Sequence, residues 1–183
     1  MIRKYEDDCS PMKIPHAFAL VSFSLAALGC SATNIKAPPY PTLKKDGIIL
    51  TSVCVPPQLR QLKEQFARYK YKDEEEAWKA VITLLCGSTT EENTRYVRYL
   101  MAPKLVSTSD YTGQDNQPET INSDEEAAAN LLTLGIAYDA TIANLPGAMF
   151  RVLFTTNEVC GASRTFKYIK NKWMIVSIGE ACD

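Results

Sequence analysis

Apolar side chains recur every three or four residues in three consecutive stretches of this sequence, the spacing of amphipathic helices. The second stretch ends at Gly87 and the third ends before Pro103, residue types that commonly terminate helices. We therefore predict three helices. Their buried stripes are Leu59, Leu62, Phe66 and Tyr69; Trp78, Val81, Ile82 and Leu85; and Val97, Leu100 and Met101.

Capping boxes predict where helices begin. In such a box a capping side chain accepts a hydrogen bond from a backbone N–H, and a glutamate three positions later bonds back to the cap. The same carboxylates would suit a metal or acid–base site, but their recurrence at three helix starts favours capping. The boxes are 73–76, 88–91 and 123–126, so a further helix begins near Asp124.

The last third of the chain changes to the two-residue period of β-strands. Pro146-Gly147 predicts a turn between two strands, and Lys170-Asn171-Lys172 predicts a hairpin. The expected strands form an antiparallel meander of three or four members. They cover residues 134–142, 149–155, 163–169 and 173–178.

This order of elements predicts an α+β fold, with N-terminal helices packed on a C-terminal antiparallel meander sheet. A short β-rich run, Ile48–Val55, precedes the helices and stops at Pro56-Pro57. The polar segment 107–122 contains Gly113 and Pro118 and is predicted to be a long exposed loop.

The start of the chain predicts export. Its longest uncharged apolar stretch, Ala17–Cys30, is shorter than the ~20 residues of a membrane-spanning helix. Lys13 precedes this stretch, so residues 1–29 have the parts of a secretory signal peptide. The acidic residues 6–8 do not fit such a peptide, which favours Met12 as the true start.

The junction Gly29-Cys30 resembles the lipobox of bacterial lipoproteins, although Ala27 stands where leucine is usual. This resemblance implies that Cys30 is lipidated and anchors the protein to a membrane. Ser31 is not the aspartate of inner-membrane lipoproteins, so the resemblance implies an outer-membrane lipoprotein of the cell envelope that faces the periplasm. The alternative is cleavage near Ala32, which would release a soluble periplasmic or secreted protein.

Composition fits one globular domain behind this signal. The chain has 183 residues, 46% of them hydrophobic and 22% charged, with a net charge of −1, which gives no electrostatic case for nucleic acid. Residues 30–46 contain Pro38, Pro39 and Pro41 and are predicted to be a stiff tether, or else an ordered arm, ahead of a domain at 47–183. Removal of residues 1–29 also removes His16, the single histidine, which excludes histidine-based catalysis and histidine zinc sites.

Four cysteines follow Cys30, and in an oxidising compartment they predict two disulfides with three alternative pairings. A four-cysteine metal site is disfavoured because no Cys-x-x-Cys pair is present. If facing residues in the last hairpin have numbers that sum to 342, Phe166 faces Val176 and Tyr168 faces Met174. The same register predicts the bridges Cys160–Cys182 and, by remainder, Cys54–Cys86.

The segment Lys172–Ile178 at the end of a helix-then-sheet order is similar to nuclear-transport-factor-like, or cystatin-like, cone domains, over about residues 73–183. The resemblance implies a cone-like sheet with a pocket between helices and sheet. Enzymes of this kind use Asp–His pairs, which cannot be carried over to a chain without the histidine. Asp139 and Arg151 are the candidate pocket pair, with a solvated sheet-face aspartate as the alternative.

Two clusters interleave basic and aromatic residues and predict an interaction patch. An exported protein would use such a patch on lipid headgroups, a cell-wall polymer or an acidic protein surface, and not on nucleic acid. Helix-end charge preference and core packing are the alternative explanation. The clusters include Arg68, Tyr69 and Tyr71, and Arg95, Tyr96, Arg98 and Tyr99.

No catalytic, cofactor or metal motif is present in the exported part. The favoured function is therefore non-catalytic binding of a protein partner by an envelope lipoprotein: an assembly factor, an inhibitor or a periplasmic immunity protein. The first alternative is a small-ligand carrier or sensor with a pocket between helices and sheet. The second is a hydrolase that uses carboxylates or a Ser–Lys pair.

Overall fold

A computed structural model describes residues 40–111 and 117–182, with helices packed against one face of a large sheet. The signal peptide, Cys30 and the tether up to residue 39 lie outside the described residues. The helices are α1 (Pro56–Ala67), α2 (Glu74–Cys86), α3 (Glu91–Leu100) and α4 (Glu125–Leu131). The strands are β1 (Thr42–Lys45), β2 (Ile48–Thr51), β3 (Met101–Tyr111), β4 (Glu119–Ile121), β5 (Tyr138–Leu145), β6 (Met149–Thr155), β7 (Cys160–Ile169) and β8 (Lys172–Cys182).

The helices follow the predicted apolar stripes except at two ends, where Tyr69 lies exposed beyond α1 and Met101 begins β3. Their caps differ from the predicted boxes. Asp73 precedes α2 in a left-handed conformation, and its side chain makes no capping hydrogen bond. It accepts one from the Tyr168 hydroxyl instead. Thr90 caps α3 and Asp124 caps α4, each accepting a backbone N–H three residues on. The caps thus lie one or two positions after the predicted Ser88 and Ser123.

The main sheet has six strands in the order β4-β3-β8-β7-β6-β5. The mixed α+β class is confirmed, but the sheet is larger than the predicted three to four strands, and strands also precede α1 and α4. β5 to β8 form the predicted antiparallel meander, with β5 beginning at Tyr138 and not at residue 134, and β3 adds to β8 in parallel.

The predicted loop at 107–122 is wrong because part of it is strand. Residues up to Tyr111 belong to β3, and residues 119–121 form β4. Polar side chains on β3 hid the strand from a hydrophobicity pattern. Pro103 lies within the irregular stretch of β3, between Met101 and Val106, where pairing with β8 shifts. A residue that lacks an N–H is tolerated there.

The β7–β8 hairpin has two registers separated by a bulge. From Cys160↔Cys182 to Thr165↔Ser177 the pairing is the predicted one. Phe166 then faces Ile175, so Val176 is the extra residue and the predicted Phe166–Val176 and Tyr168–Met174 pairs are wrong. The cause is the turn, where Lys170 and Asn171 both have positive φ angles. Such a two-residue turn fixes a register one residue out of step with the far end.

Both disulfides have the predicted pairing. Cys54–Cys86 joins the segment before α1 to the last residue of α2, with Cα atoms 5.6 Å apart. Cys160–Cys182 closes the far end of the β7–β8 hairpin, with Cα atoms 4.1 Å apart.

A separate two-stranded hairpin precedes α1. β1 and β2 pair around Asp46-Gly47, two residues with positive φ angles, as in a tight hairpin turn. Residues 42–45, which the sequence analysis placed in the tether, therefore form a strand. Ser52 joins this hairpin to β5 through a bridge to Tyr138.

The core between helices and sheet is built on an aromatic cluster at one end of the sheet. Phe150 and Phe166 face each other on β6 and β7 with ring centroids 4.7 Å apart. Phe66 from α1 meets Phe150 edge-on at 5.4 Å. Trp173 contacts the same ring, and its indole N–H donates to the Lys72 carbonyl at 2.7 Å. This end of the helix–sheet space is filled, which leaves the other end for a cavity.

Candidate functional site

A cavity of about 680 Å³ lies between α4 with its following loop and strands β3, β8 and β7. Its walls are apolar and polar in about equal measure, with Leu105, Leu131, Ile136 and Ile178 among the apolar lining residues. Polar groups make up the rest of the lining. They include Ser107, Ser109, Asn130, Thr133, Asn157, Arg164 and Glu180.

The loop after α4 forms one wall and is held by the end of α2. The backbone N–H groups of Thr133 and Gly135 donate to the carbonyls of Leu84 and Leu85, at 2.9 and 3.1 Å. These carbonyls belong to the last turn of a helix, where no intrahelical donor remains. The hydroxyl of Ser52, fully buried, donates to the Gly135 carbonyl at 2.7 Å. The wall is therefore fixed by the Cys54–Cys86 region on both sides.

Arg164 is a charged residue on the inner face of the sheet. It shares this face of β7 with the buried Ala162 and Phe166, two positions before and after it. Its Nη1 donates to the Ser163 carbonyl at 2.8 Å, and its Cζ lies 5.4 Å from the centroid of the Phe154 ring. Its Nε is buried and has no hydrogen-bond partner among the described residues. One donor of a cationic group is thus left unsatisfied in the cavity wall.

The electrostatics of Arg164 follow from this burial. Loss of water lowers the pKa of the guanidinium to about 10, and the negative charge of Glu180 opposes that fall. Arg164 therefore remains a cation at neutral pH. An unpaired donor on a partly desolvated cation favours an anionic acceptor, since a charge-assisted hydrogen bond is about twice as strong as a neutral one.

Asp139 and Arg151 do not form the predicted pair. Arg151 projects on the open face of the sheet. Asp139 lies on the edge strand β5, where it borders one depression with Thr155 and Leu153 and a smaller one beside α1. Arg151 lies four residues along β6 from Thr155, roughly 13 Å at the rise of a strand. Its Nε donates to the Thr165 hydroxyl at 3.0 Å, and no ion pair within residues 40–111 and 117–182 joins it to Asp139.

The first basic–aromatic cluster is divided between core and surface. Tyr71 packs against Phe66, Phe150 and Trp173 in the aromatic cluster. Arg68 and Tyr69 are exposed beyond the end of α1. Only part of this cluster is therefore a surface.

The second cluster lies on α3 and is occupied by intramolecular pairs. Arg95 pairs with Glu91 one turn earlier, and Arg98 donates to the Ser123 carbonyl at 3.2 Å near α4. The Tyr96 hydroxyl donates to Glu76 at 3.3 Å. Tyr99 is 58% exposed, and the Lys172 ammonium lies 4.1 Å from its ring centroid. Tyr99 is thus the aromatic side chain of this cluster that remains available.

A substitution at Tyr71 tests whether this side chain of the first basic–aromatic cluster is buried. Its hydroxyl is buried with no hydrogen-bond partner among the described residues, and burial raises its pKa to about 12. We expect Tyr71→Phe to leave the free energy of unfolding at pH 7 within about 1 kcal/mol of the wild type, or to raise it.

The same side chain predicts a loss of stability in alkali. An unfolded chain ionises Tyr71 near its ordinary pKa, whereas the folded chain keeps the proton up to about pH 12. The folded state therefore binds more protons in that window, and stability falls as pH rises through it. Urea unfolding at pH 8 and pH 11 should show a smaller decline for Tyr71→Phe than for the wild type. An equal decline in both proteins would contradict this assignment.

Sequence reasoning missed Arg164 and Glu180, although a signal was present. The predicted hairpin placed Phe166 on an apolar face, and a two-residue period puts Arg164 on that same face. An arginine in a core-facing register is unusual unless it is paired or faces a cavity. The predicted register also sets Glu180 opposite Ala162, next to it.

In comparisons with known proteins, the chain is similar to solved structures only. No protein-family model matches the chain, and no curated protein matches it. Similar solved structures include DUF4783 family proteins from Bacteroides fragilis and Bacteroides uniformis. Both are 13% identical and cover 57% of this chain, with TM-scores of 0.37 and 0.38 and with 94% and 95% of their own lengths covered.

A nuclear-transport-factor-like (NTF2-like) protein of unknown function from Silicibacter pomeroyi is 14% identical, with a TM-score of 0.38. The match covers 60% of this chain and 94% of that one. The type of domain that the sequence resemblance named is therefore among these solved structures. At TM-scores below 0.5 they carry no argument about family or function.

Among the described residues, none of the helices combines the length and apolar character needed to cross a membrane.

Proposed function

We propose that this chain is a non-catalytic envelope lipoprotein whose folded domain binds a small organic acid between α4 and the sheet. The cavity volume of about 680 Å³ lies within the usual range for small-molecule sites. This is the ligand-carrier alternative of the sequence analysis. The geometry supports it better than a protein partner.

The observation that carries the proposal is the unpartnered Nε of Arg164 in the cavity wall. A buried donor without an acceptor costs about 1–3 kcal/mol, and more when the group is charged. A ligand carboxylate that pairs with the guanidinium, with a shift of the Arg164 side chain that turns Nε toward the cavity, would remove this cost. Glu180 lies in the same lining but does not accept a hydrogen bond from Nε.

The remainder of the lining defines the ligand class. Leu105, Leu131 and Ile178 suit an apolar body, and the hydroxyl and amide groups nearby suit a few oriented polar contacts. We infer a monocarboxylic acid with an aliphatic or aromatic body. A highly charged ligand such as a nucleotide would have to compete with the carboxylate of Glu180.

The envelope part of the proposal rests on the sequence. Gly29-Cys30 resembles a lipobox junction, and an acylated Cys30 would hold the domain at the outer membrane, facing the periplasm. Several acyl chains, at about 0.8 kcal/mol per buried methylene, would give lasting attachment.

Binding of matched acids and amides tests the pocket. We expect octanoate or phenylacetate to raise the melting temperature and to bind in calorimetry, and the corresponding amides to bind weakly. Arg164→Leu should lower acid affinity about 10- to 100-fold, because it removes a charge-assisted hydrogen bond worth about 1.5–3 kcal/mol. Arg151→Leu is the matched control, since this exposed arginine lies on the other face of the sheet.

Two results would contradict the proposal. One is equal affinity of the wild type and Arg164→Leu for the acids that bind. The other is the absence of any copurified organic acid in native mass spectra of envelope-purified protein, together with no shift by any acid tested. Arg164→Leu should stay folded, because leucine leaves no buried donor unsatisfied.

A protein partner is the second candidate, and the exposed Tyr99 favours it. Tyrosine is enriched among the residues that contribute most to binding at protein interfaces. Here Tyr99 of α3 lies beside Lys172 of the β7–β8 hairpin. The two candidates separate by variant: capture of a partner would depend on Tyr99 and not on Arg164.

A further inference from the structure

The tip of the β1–β2 hairpin combines exposed apolar and cationic side chains. Ile48 and Ile49 are 64% and 70% exposed, the two most exposed large apolar residues of the described chain. Lys45 and Lys44 stand directly opposite them on β1. Tyr40, at the start of the hairpin, is 39% exposed.

The two isoleucines face opposite sides of the hairpin, because successive side chains of a strand alternate. A groove on a partner protein would bury one face of such a tip and leave the other in water. A lipid interface that takes the tip end-on would cover both faces at once. The isoleucines nearest the turn are the exposed ones, whereas Leu43 and Leu50, further from it, are partly buried.

The charges agree with an anionic lipid surface. Lysine side chains can lie with their stems along an apolar segment and their ammonium groups among headgroups. Each lysine near such a surface adds binding free energy through its attraction to the anionic headgroups. Tyrosine is a typical interfacial residue. The negative charge of Asp46 in the turn offsets one of the two lysine charges, so the tip keeps a net positive charge.

We propose that this hairpin tip, Lys44–Ile49, inserts into the anionic membrane surface beside the lipid anchor. The inference rests on the proposed lipidation of Cys30. Residues 31–39 separate Cys30 from Tyr40, and an extended chain of that length spans roughly 30 Å. A hairpin joined to such a short connection stays close to the bilayer, so weak insertion is enough to orient the domain.

Sedimentation with vesicles tests the insertion without the acyl chains. The protein is the mature chain from residue 30 carrying Cys30→Ser. The vesicles are phosphatidylethanolamine with phosphatidylglycerol, and neutral phosphatidylcholine for comparison. We expect measurable binding to the anionic vesicles, and a loss of tenfold or more in partition coefficient for Ile48→Ser/Ile49→Ser, since both lose their apolar contact.

Matched variants identify the cause. Lys44→Ser/Lys45→Ser should weaken binding to anionic vesicles severalfold and leave the weak binding to neutral vesicles unchanged. Val159→Ser, at a side chain 52% exposed in another turn, should bind like the parent. Near-ultraviolet circular dichroism checks that each variant is folded. Equal binding by the isoleucine variant and the parent, or no binding by the parent, would overturn the proposal.

The lipidation of Cys30 and the insertion of the hairpin can be tested independently. Metabolic labelling with palmitate, with and without Cys30→Ser, tests lipidation alone. Labelling together with hairpin-independent vesicle binding would leave the anchor standing and reject the hairpin. Specific capture of a protein by the hairpin, in place of vesicle binding, would assign the tip to a partner and reject the membrane proposal.

Discussion

Replacing Phe166 with alanine should lower the free energy of unfolding by about 3–5 kcal/mol, as is usual for a buried phenylalanine. Phe166 has no exposed surface, and its ring stacks on Phe150 at 4.7 Å. It also faces Ile175 across the bulge in β8. Alanine there removes the central ring between two strands, and the cavity it leaves cannot collapse because both neighbours are fixed by strand pairing.

Urea unfolding followed by tryptophan fluorescence measures this loss, since Trp173 contacts Phe150 and reports on the same cluster. Leu153→Ala is the matched control. It lies on β6, next to the same strand, but on the open face with 39% of its surface exposed, and should cost less than about 1 kcal/mol. A loss below 1 kcal/mol for Phe166→Ala would show that the inner face of the sheet is assigned incorrectly.

The elements with strong periodicity could be predicted from the sequence. The stripe containing Leu62 and Phe66 is buried in α1, and β6 has the predicted limits Met149–Thr155. Both disulfide pairings follow from a hairpin register that holds at its cysteine end. Hydrophobic periodicity and a single distance constraint were sufficient in these places.

β3 could not be predicted because its pairing is non-local and its exposed side chains are polar. The segment from Ser107 is a strand only because β8 offers it a parallel edge more than sixty positions later. The bulge at Val176 was hidden for a related reason. The turn at Lys170-Asn171 and the disulfide at Cys160 each impose a register, and the two differ by one residue.

The sequence predicted where in the fold a pocket would lie, but not which residues would line it. A pocket between helices and sheet was predicted, with Asp139 and Arg151 as its polar pair. Asp139 instead lies at a bulge in the edge strand β5, with a positive φ of 48°. Arg164 was not predicted as a pocket residue, although the hairpin register places its charge on the core-facing side of β7.

Removal of Cys54–Cys86 should have the second large effect on stability, and it should also loosen the proposed pocket. The double variant Cys54→Ala/Cys86→Ala frees a loop with a sequence separation of 32 residues. The loop-closure account gives a loss of about 3–4 kcal/mol. Alanine at both positions leaves no free thiol to exchange with the second bridge.

The effect on the pocket follows from the neighbouring hydrogen bonds. Cys86 ends α2 directly after Leu84 and Leu85, whose carbonyls hold Thr133 and Gly135 in the cavity wall. Fraying of this helix end would release the wall. We expect faster hydrogen exchange at the amides of residues 133 and 135, and acid affinity reduced by severalfold under conditions where the protein remains folded.

The second disulfide provides the comparison that separates stability from the pocket wall. Cys160→Ala/Cys182→Ala frees a loop with a separation of 22 residues and should cost nearly as much stability. It does not touch the end of α2, so exchange at residues 133 and 135 should rise only through global unfolding. Equal local exchange in both double variants would mean that the wall is not held by the Cys54–Cys86 bridge. Faster local exchange at residues 133 and 135 in Cys54→Ala/Cys86→Ala alone would mean that this disulfide holds the cavity wall in place, although neither cysteine lines the cavity.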